Sequence, residues 1–132
     1  MKKYKLTTET KEEYGVTFHR IEAVTDFGNI EKGEKGGFIE KEENLSQENS
    51  AWVYGDARVY GDARVLGDAW VLGDARVYGD ARVYGDAWVL GNARVLGDAR
   101  VYGKIKCKTG WYMAYKKKDW NMTEVEVDDE SV

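Results

Sequence analysis

The chain has 132 residues, of which 42% are hydrophobic and 13% aromatic, so it is long and apolar enough to fold as one unit instead of staying disordered. Its formal net charge of −4 disfavours a dedicated duplex-DNA binder. The one cysteine, Cys107, cannot form an internal disulfide, and the sequence shows no apolar signal segment and no apolar run long enough to span a membrane. We therefore expect a cytoplasmic protein without a membrane segment.

Residues 1–50 precede a six-residue repeat and are predicted to cover its first coil. The stretch VTFHRIEAVTDFG at 16–28 is typical of a strand followed by a turn. The stretch GEKGGFIEKEENL then offers Phe38, Ile39 and Leu45 as apolar side chains that could fill the open end. An uncovered strand edge invites end-to-end association, so this N-terminal capping segment is expected to have a structural role.

The repeat begins at Val53 and reads VYGDAR, VYGDAR, VLGDAW, VLGDAR, VYGDAR, VYGDAW, VLGNAR, VLGDAR and finally the degraded VYGKIK. Within each hexad, small or branched residues alternate with large ones, which is the two-residue period of a strand. Gly-Asp suits a corner because glycine adopts positive φ and aspartate tolerates tight turns. A helix is excluded, since a six-residue period drifts around the helix surface and each interior glycine would cost about 1 kcal/mol.

Side-chain size predicts which positions face inward. Nine alanines from Ala51 to Ala99 and nine valines from Val53 to Val101 can fill a narrow interior, whereas stacked arginines or tryptophans cannot. The Arg/Trp and Tyr/Leu positions must then face outward.

The tryptophans mark the length of one coil. Trp52, Trp70 and Trp88 are spaced by three hexads, so we predict a three-sided solenoid with rungs about 4.8 Å apart. The first wall carries Trp52, Trp70 and Trp88 beside Tyr54, Leu72 and Leu90. The second wall carries Arg58, Arg76 and Arg94 beside Tyr60, Tyr78 and Leu96. The third wall carries Arg64, Arg82 and Arg100 beside Leu66, Tyr84 and Tyr102.

The hexads place an aliphatic residue four positions before a small one, and this pattern resembles the hexapeptide-repeat family. The resemblance covers residues 51–106 and implies a left-handed parallel β-helix. The stretch GGFIEKEENLSQENSAWVYGDARVYG is similar to short hexapeptide-repeat proteins of bacteriophages and prophages, which implies an accessory protein acting in the host cytoplasm. Members of the family are often trimeric acyltransferases that use a histidine as general base and hold coenzyme A between neighbouring solenoids.

Residues 107–132 are predicted to be a C-terminal capping or oligomerisation segment. The stretches KTGWYMAYKKKDW and TEVEV are typical of two short strands. Residues 104–118 hold six lysines and no acid, whereas residues 119–132 hold six acids and no base. Each block is either a solvated surface or pairs with the other block.

Few residues are candidates for chemistry, and no cofactor or metal is predicted. His19 lies outside the repeat, so it could act as a base only if the capping segment leaned over a subunit interface, and we expect a surface or capping role. The corner aspartates are expected to be turn residues close to the arginine two positions later, since calcium-binding solenoids use a nonapeptide instead. Cys107 takes a valine position and should point inward as a small hydrophobe.

The arginine and tyrosine columns are the candidate binding site. Its residues are Arg58, Arg76, Arg94, Arg64, Arg82, Arg100, Tyr60, Tyr78, Tyr84 and Tyr102. Aligned guanidinium groups can hold phosphates while tyrosine rings stack on bases, so a nucleotide or short nucleic acid is one possible ligand. Alternatively, each arginine covers a tyrosine with its stem and pairs with a corner aspartate, which only keeps the surface soluble.

The first wall is the candidate oligomer interface. Its residues Trp52, Trp70, Trp88, Tyr54, Leu72 and Leu90 would form an exposed apolar strip of a kind that soluble monomers rarely leave uncovered. The strip could be covered by the tail around Trp111, Tyr112, Met113 and Trp120, or by the same wall of another copy in a dimer or trimer, and we favour self-association.

The sequence thus predicts an all-β, three-sided parallel β-helix with capping segments at both ends. It predicts a non-catalytic binding protein with a host protein as partner. Nucleotide or nucleic-acid binding and coenzyme A-dependent acyl transfer are the two alternatives.

Overall fold

Each hexad folds into a short strand and a corner, as its alternation predicts. The structure, a computed structural model, describes the backbone of residues 2–127 and the side chains of residues 2–110 and of Tyr112. The strands are β1 (Tyr4–Glu13), β2 (Val16–Ala23), β3 (Lys35–Ile39), β4 (Trp52–Val53), β5 (Arg58–Val59), β6 (Arg64–Val65), β7 (Trp70–Val71), β8 (Arg76–Val77), β9 (Arg82–Val83), β10 (Trp88–Val89), β11 (Arg94–Cys107) and β12 (Trp111–Val127). A 3-10 turn spans Glu42–Asn44. The predicted all-β parallel solenoid is confirmed.

The strands stack in parallel on three walls. On the first wall, β4 pairs with β7 and β7 with β10, so that Trp52, Trp70 and Trp88 stand in one column. On the second wall, β5 pairs with β8, and on the third wall β6 pairs with β9. The 18-residue coil predicted from the tryptophan spacing is therefore confirmed. The left-handed sense implied by the resemblance stays a prediction.

The interior consists of alanine and valine columns. Every repeat alanine from Ala51 to Ala99 and every repeat valine from Val53 to Val101 has no exposed surface. The arginines and tyrosines of the repeat lie on the outside, most of them half-buried. The prediction that small side chains point inward and large ones outward is confirmed. Only small side chains fit between walls that are so close together.

The corners depend on the glycines. Gly79 has φ +70° and stacks on Gly97, while Asp80 donates its backbone N–H to the Gly97 carbonyl at 2.9 Å. The same hydrogen bond joins Asp62 to Gly79. The repeated Gly-Asp pair thus turns the chain and links successive coils through the backbone.

The N-terminal segment extends the sheet of the second wall. Strand β3 pairs in parallel with β5, and β2 pairs antiparallel with β3 and with β1. The strand predicted at the start of residues 16–28 is confirmed as β2. Ile39 and Leu45 are buried in register with Val59 and Val65, as expected. Phe38 is buried too, but it is in register with Arg58 on the outer face, where it contacts Arg20 and Arg58, and does not fill the open end. Strand β1 was not predicted, because its polar side chains show no clear alternation. The β1–β2 hairpin leans over the outer face of the second wall.

Side chains of the N-terminal segment satisfy carbonyl groups at the start of the first full coil. Each coil donates its N–H groups to the carbonyls of the next, so the carbonyls of the first coil need other donors. Asn44 donates from Nδ2 to the carbonyls of Gly61 (3.1 Å) and Ala63 (2.9 Å). Lys3 donates from Nζ to the carbonyl of Ala51 at 2.8 Å. These two buried polar residues therefore act as caps of the solenoid.

The buried Lys3 ammonium predicts a dependence of stability on pH. Desolvation lowers the pKa of Lys3 from 10.5 to about 8. Between these two pH values the unfolded chain holds a proton that the folded chain has released, so the contribution of Lys3 to the free energy of unfolding should rise with pH. Urea titrations at pH 8 and 9.5 should show this increase in wild type and lose it in Lys3→Met. If the free energy of unfolding changed by the same amount between pH 8 and 9.5 in wild type and in Lys3→Met, the buried position of the ammonium would be contradicted.

At the other end, β12 stacks on β11 as a further coil. The pairing runs from Arg94↔Trp111 to Cys107↔Val127, so the segment forms one irregular strand instead of the two predicted. Residues 128–132 of the predicted C-terminal segment lie outside the described residues. Within residues 2–127, no helix is long and apolar enough to cross a membrane.

Candidate functional site

The first wall presents a ladder of aromatic rings. The rings of Trp70 and Trp88 stack with their centroids 4.8 Å apart and their planes within 9° of parallel. The Nζ of Lys106 lies 4.8 Å above the Trp88 ring, and both tryptophans are half-buried. Together with Leu72 and Leu90, which are also half-buried, they form an apolar strip. We call these four hydrophobic residues the Trp strip.

The expectation that Trp52 belongs to this exposed strip is wrong. Trp52 is completely buried, because the rings of Tyr4 and Phe27 pack edge-on against it with centroids at 6.1 and 5.2 Å. Tyr54 is half-buried and packs edge-on against Trp70. The N-terminal segment thus covers the first rung of the wall. The tail side chains of Trp111, Met113 and Trp120, proposed as an alternative cover, lie outside the described side chains.

The second wall is partly occupied by the β1–β2 hairpin. Arg58 is only 6% exposed, and its Nε donates to Glu13 at 2.7 Å. Arg76 lies 3.7 Å from the same carboxylate oxygen. The prediction that Arg58 is an exposed binding residue is therefore wrong, because the hairpin tip takes that place. Glu13 was missed, and the Glu-Tyr-Gly turn at 13–15 was the signal that could have indicated a hairpin tip.

The third wall carries the same columns without a hairpin on them. A shallow groove of about 400 Å³ runs along it. The groove is lined by Arg64, Arg82 and Arg100 together with Asp62, Asp80, Asp98, Lys41 and Glu43. Beside it, the rings of Tyr84 and Tyr102 stack at 4.9 Å. Arg94 lines the corresponding groove of the second wall, where Tyr60 and Tyr78 stack at 4.9 Å.

The carboxylates of two corner aspartates have partners other than the expected arginines. Asp62 forms an ion pair with Lys41 at 3.0 Å, and Asp68 accepts a hydrogen bond from the Ser50 hydroxyl at 2.7 Å. Among the described side chains, no ion pair joins a corner aspartate to the arginine two positions later. The expected side-chain ion pairs are therefore not seen in the part of the chain that the structure describes, although Arg58 donates from Nη1 to the backbone carbonyl of Asp56 at 2.5 Å.

The residues with possible chemistry are not brought together. His19 is half-buried within β2, where its backbone pairs with Thr10 and Ile39. Cys107 is fully buried opposite Val89, as predicted, and burial raises the pKa of its thiol to about 12, so a thiolate does not form at neutral pH. In the described part of the chain, no group of three or more His, Cys, Asp or Glu could hold a metal ion.

Comparison with known proteins agrees with the solenoid. Residues 57–73 and 75–91 match a family model described as YdcK Beta solenoid repeat. These two segments are similar to that repeat and contain two rungs of each wall. No curated protein matches the chain. The chain is a β-solenoid repeat protein.

Proposed function

We propose that this chain is a non-catalytic binding protein whose outer walls hold protein partners. The observation that carries the proposal is the division of residues between the two faces of the repeat. Its interior is filled by columns of alanine and valine, whereas the outside carries stacked columns of Trp, Tyr and Arg. These three residue types are the ones enriched at protein interfaces and at their energetic hot spots. A stacked solenoid also presents them on a rigid surface, which reduces the entropy lost on binding.

The Trp strip is the surface proposed for self-association. It lies on the first wall, where Trp70 and Trp88 replace the arginine of the other walls and leave their rings half-exposed. A second copy could cover the strip with its own strip, around a twofold or threefold axis.

A double variant tests the role of the Trp strip. Trp70→Arg with Trp88→Arg restores the residue that the other walls carry at this position, so the fold should be retained. We expect light scattering to give the mass of a monomer, 15.0 kDa, for the variant and a multiple of it for wild type. Tyr78→Leu on the second wall is the matched control, because other hexads carry leucine at this position. This variant should keep the wild-type mass. If wild type is already a monomer, the self-association proposal is wrong.

The third wall is the surface proposed for a host protein. The similarity of residues 36–61 to phage and prophage hexapeptide-repeat proteins supports a host partner in the host cytoplasm. The test measures how much of each host protein is captured from lysate by wild type, by the double variant Arg64→Ala with Arg82→Ala, and by Tyr78→Leu. A partner lost in this variant but retained by Tyr78→Leu supports the third wall. Equal capture by all three proteins contradicts it.

Nucleotide binding is the second candidate, because Tyr84 and Tyr102 offer stacked rings beside Arg82. The neighbouring Asp80 and Asp98 weaken this candidate, since they oppose a phosphate in the same groove. Calorimetric titration with nucleotides and short oligonucleotides at two salt concentrations decides between the candidates.

A further inference from the structure

The second wall already holds an acidic side chain. The Glu13 carboxylate accepts from Arg58 Nε at 2.7 Å and from Nη2 at 3.4 Å, and Arg76 lies 3.7 Å away in the next coil. The hydrogen bond from Arg58 holds the pKa of Glu13 below its usual range, so the carboxylate stays charged. A single carboxylate therefore bridges arginines of two successive coils.

Aromatic contacts accompany the carboxylate. Phe18, fully buried on the second strand of the hairpin, packs edge-on against Tyr60 with the ring centroids 5.1 Å apart. The Arg58 guanidinium lies 5.5 Å from the Phe18 ring, and the Arg76 guanidinium lies 5.8 Å from the Tyr14 ring. The hairpin thus docks on the Arg and Tyr columns with one acid and two aromatic rings.

The third wall repeats the arginine pair of this receptor one hexad later, with Leu66 at the position of Tyr60 and Tyr84 at the position of Tyr78. Arg64 pairs in register with Arg82 as Arg58 does with Arg76, so the two arginine pairs have the same spacing. Within the described side chains, no ion pair involves Arg64 or Arg82. Arg64 is exposed, whereas Arg58 is buried beneath the hairpin.

The aspartates beside the arginines do not prevent an acid from binding. Asp56 and Asp74 line the second wall as Asp62 and Asp80 line the third, and the second wall nevertheless accepts Glu13. The third groove is more acidic in two places, since it also carries Glu43 and has Asp98 where the second has Asn92. A carboxylate carries a single charge, whereas a terminal phosphate carries nearly two and is repelled more strongly by the same aspartates. The groove therefore favours a carboxylate over the terminal phosphate of a nucleotide.

We propose that the third wall binds an acidic, aromatic-bearing extended segment of the partner protein, in the way that the second wall binds Glu13 and Phe18 of its own hairpin. This inference rests on the proposed function and names the chemistry of the partner. A glutamate would bridge Arg64 and Arg82, and an aromatic ring would pack beside Tyr84.

The chain supplies its own probe. A cyclised peptide of residues 9–20, ETKEEYGVTFHR, copies the hairpin tip and can be titrated by fluorescence anisotropy into the full-length protein. We expect binding that weakens about tenfold or more in Arg64→Ala with Arg82→Ala, because charge-assisted hydrogen bonds are lost. Arg64→Lys with Arg82→Lys should recover part of the affinity, since lysine keeps the charge but not the forked geometry. The same peptide with Glu13→Gln should bind as weakly to wild type as the original peptide does to the alanine variant.

Unchanged affinity in the alanine variant, or no binding to wild type, overturns the proposal. So does a short oligonucleotide that binds the third wall while the peptide does not. If the peptide fails but lysate capture still depends on Arg64 and Arg82, this inference alone is wrong. If capture is also independent of them, the proposed function fails as well.

Discussion

Replacing Ala75 by leucine is expected to destabilise the protein by about 3 kcal/mol or more, the largest effect of any single substitution considered for this fold. Ala75 has no exposed surface, and it stands in a column between Ala57 and Ala93. Because the three walls enclose a strip filled by alanine and valine alone, a leucine there can be accommodated only if the coils separate.

The matched control places the same leucine on the outside. Arg82→Leu lies on the third wall, and the expected change in the free energy of unfolding is within about 0.5 kcal/mol. Thermal denaturation followed by circular dichroism measures both variants. Equal losses would contradict an interior at the alanine positions.

The second large effect is expected at a corner. Gly79→Ala should cost about 3 kcal/mol, since two terms add. The φ of +70° is unfavourable for a residue with a Cβ, and that Cβ would lie 2.9 Å from the backbone nitrogen of Gly97.

Gly15→Ala separates these two terms. Gly15 has φ +75° at the hairpin tip, and a Cβ there would have no atom within 4 Å. Its substitution should cost only the backbone term, about 1 kcal/mol. The difference in urea midpoint between the two variants measures how closely the corners stack. If the two midpoints fall equally, the corners do not stack this tightly.

The three walls share one repeat, with tryptophan in place of arginine on the first, but they differ in what covers them. The hairpin tip occupies Arg58 and Arg76 on the second wall, and Tyr4 and Phe27 bury Trp52 on the first. The third wall keeps its arginine column clear of the hairpin. The N-terminal segment therefore decides which rungs are accessible to a partner.

The solenoid itself could be read from the repeat, because its information is local and periodic. Each hexad encodes a strand, a corner and an inward pair of small residues, and the spacing of Trp52, Trp70 and Trp88 sets the coil. The same reasoning correctly placed Cys107 inside, since it occupies a valine position of the next coil. Stacking identical units needs no information from distant parts of the chain.

The cover on the walls could not be predicted in this way. The arginines of the repeat have nearly the same local sequence, and the change from Tyr60 to Leu66 does not indicate that Arg58 is covered and Arg64 exposed. The distinction comes from Glu13, 45 residues earlier in the chain, and the capping of the first coil comes from Lys3 and Asn44. These are contacts between a non-repeating segment and a periodic surface. These contacts form because the whole N-terminal segment packs on the coil, where the burial and hydrogen bonding of all its residues are optimised together. No local sequence pattern encodes such contacts.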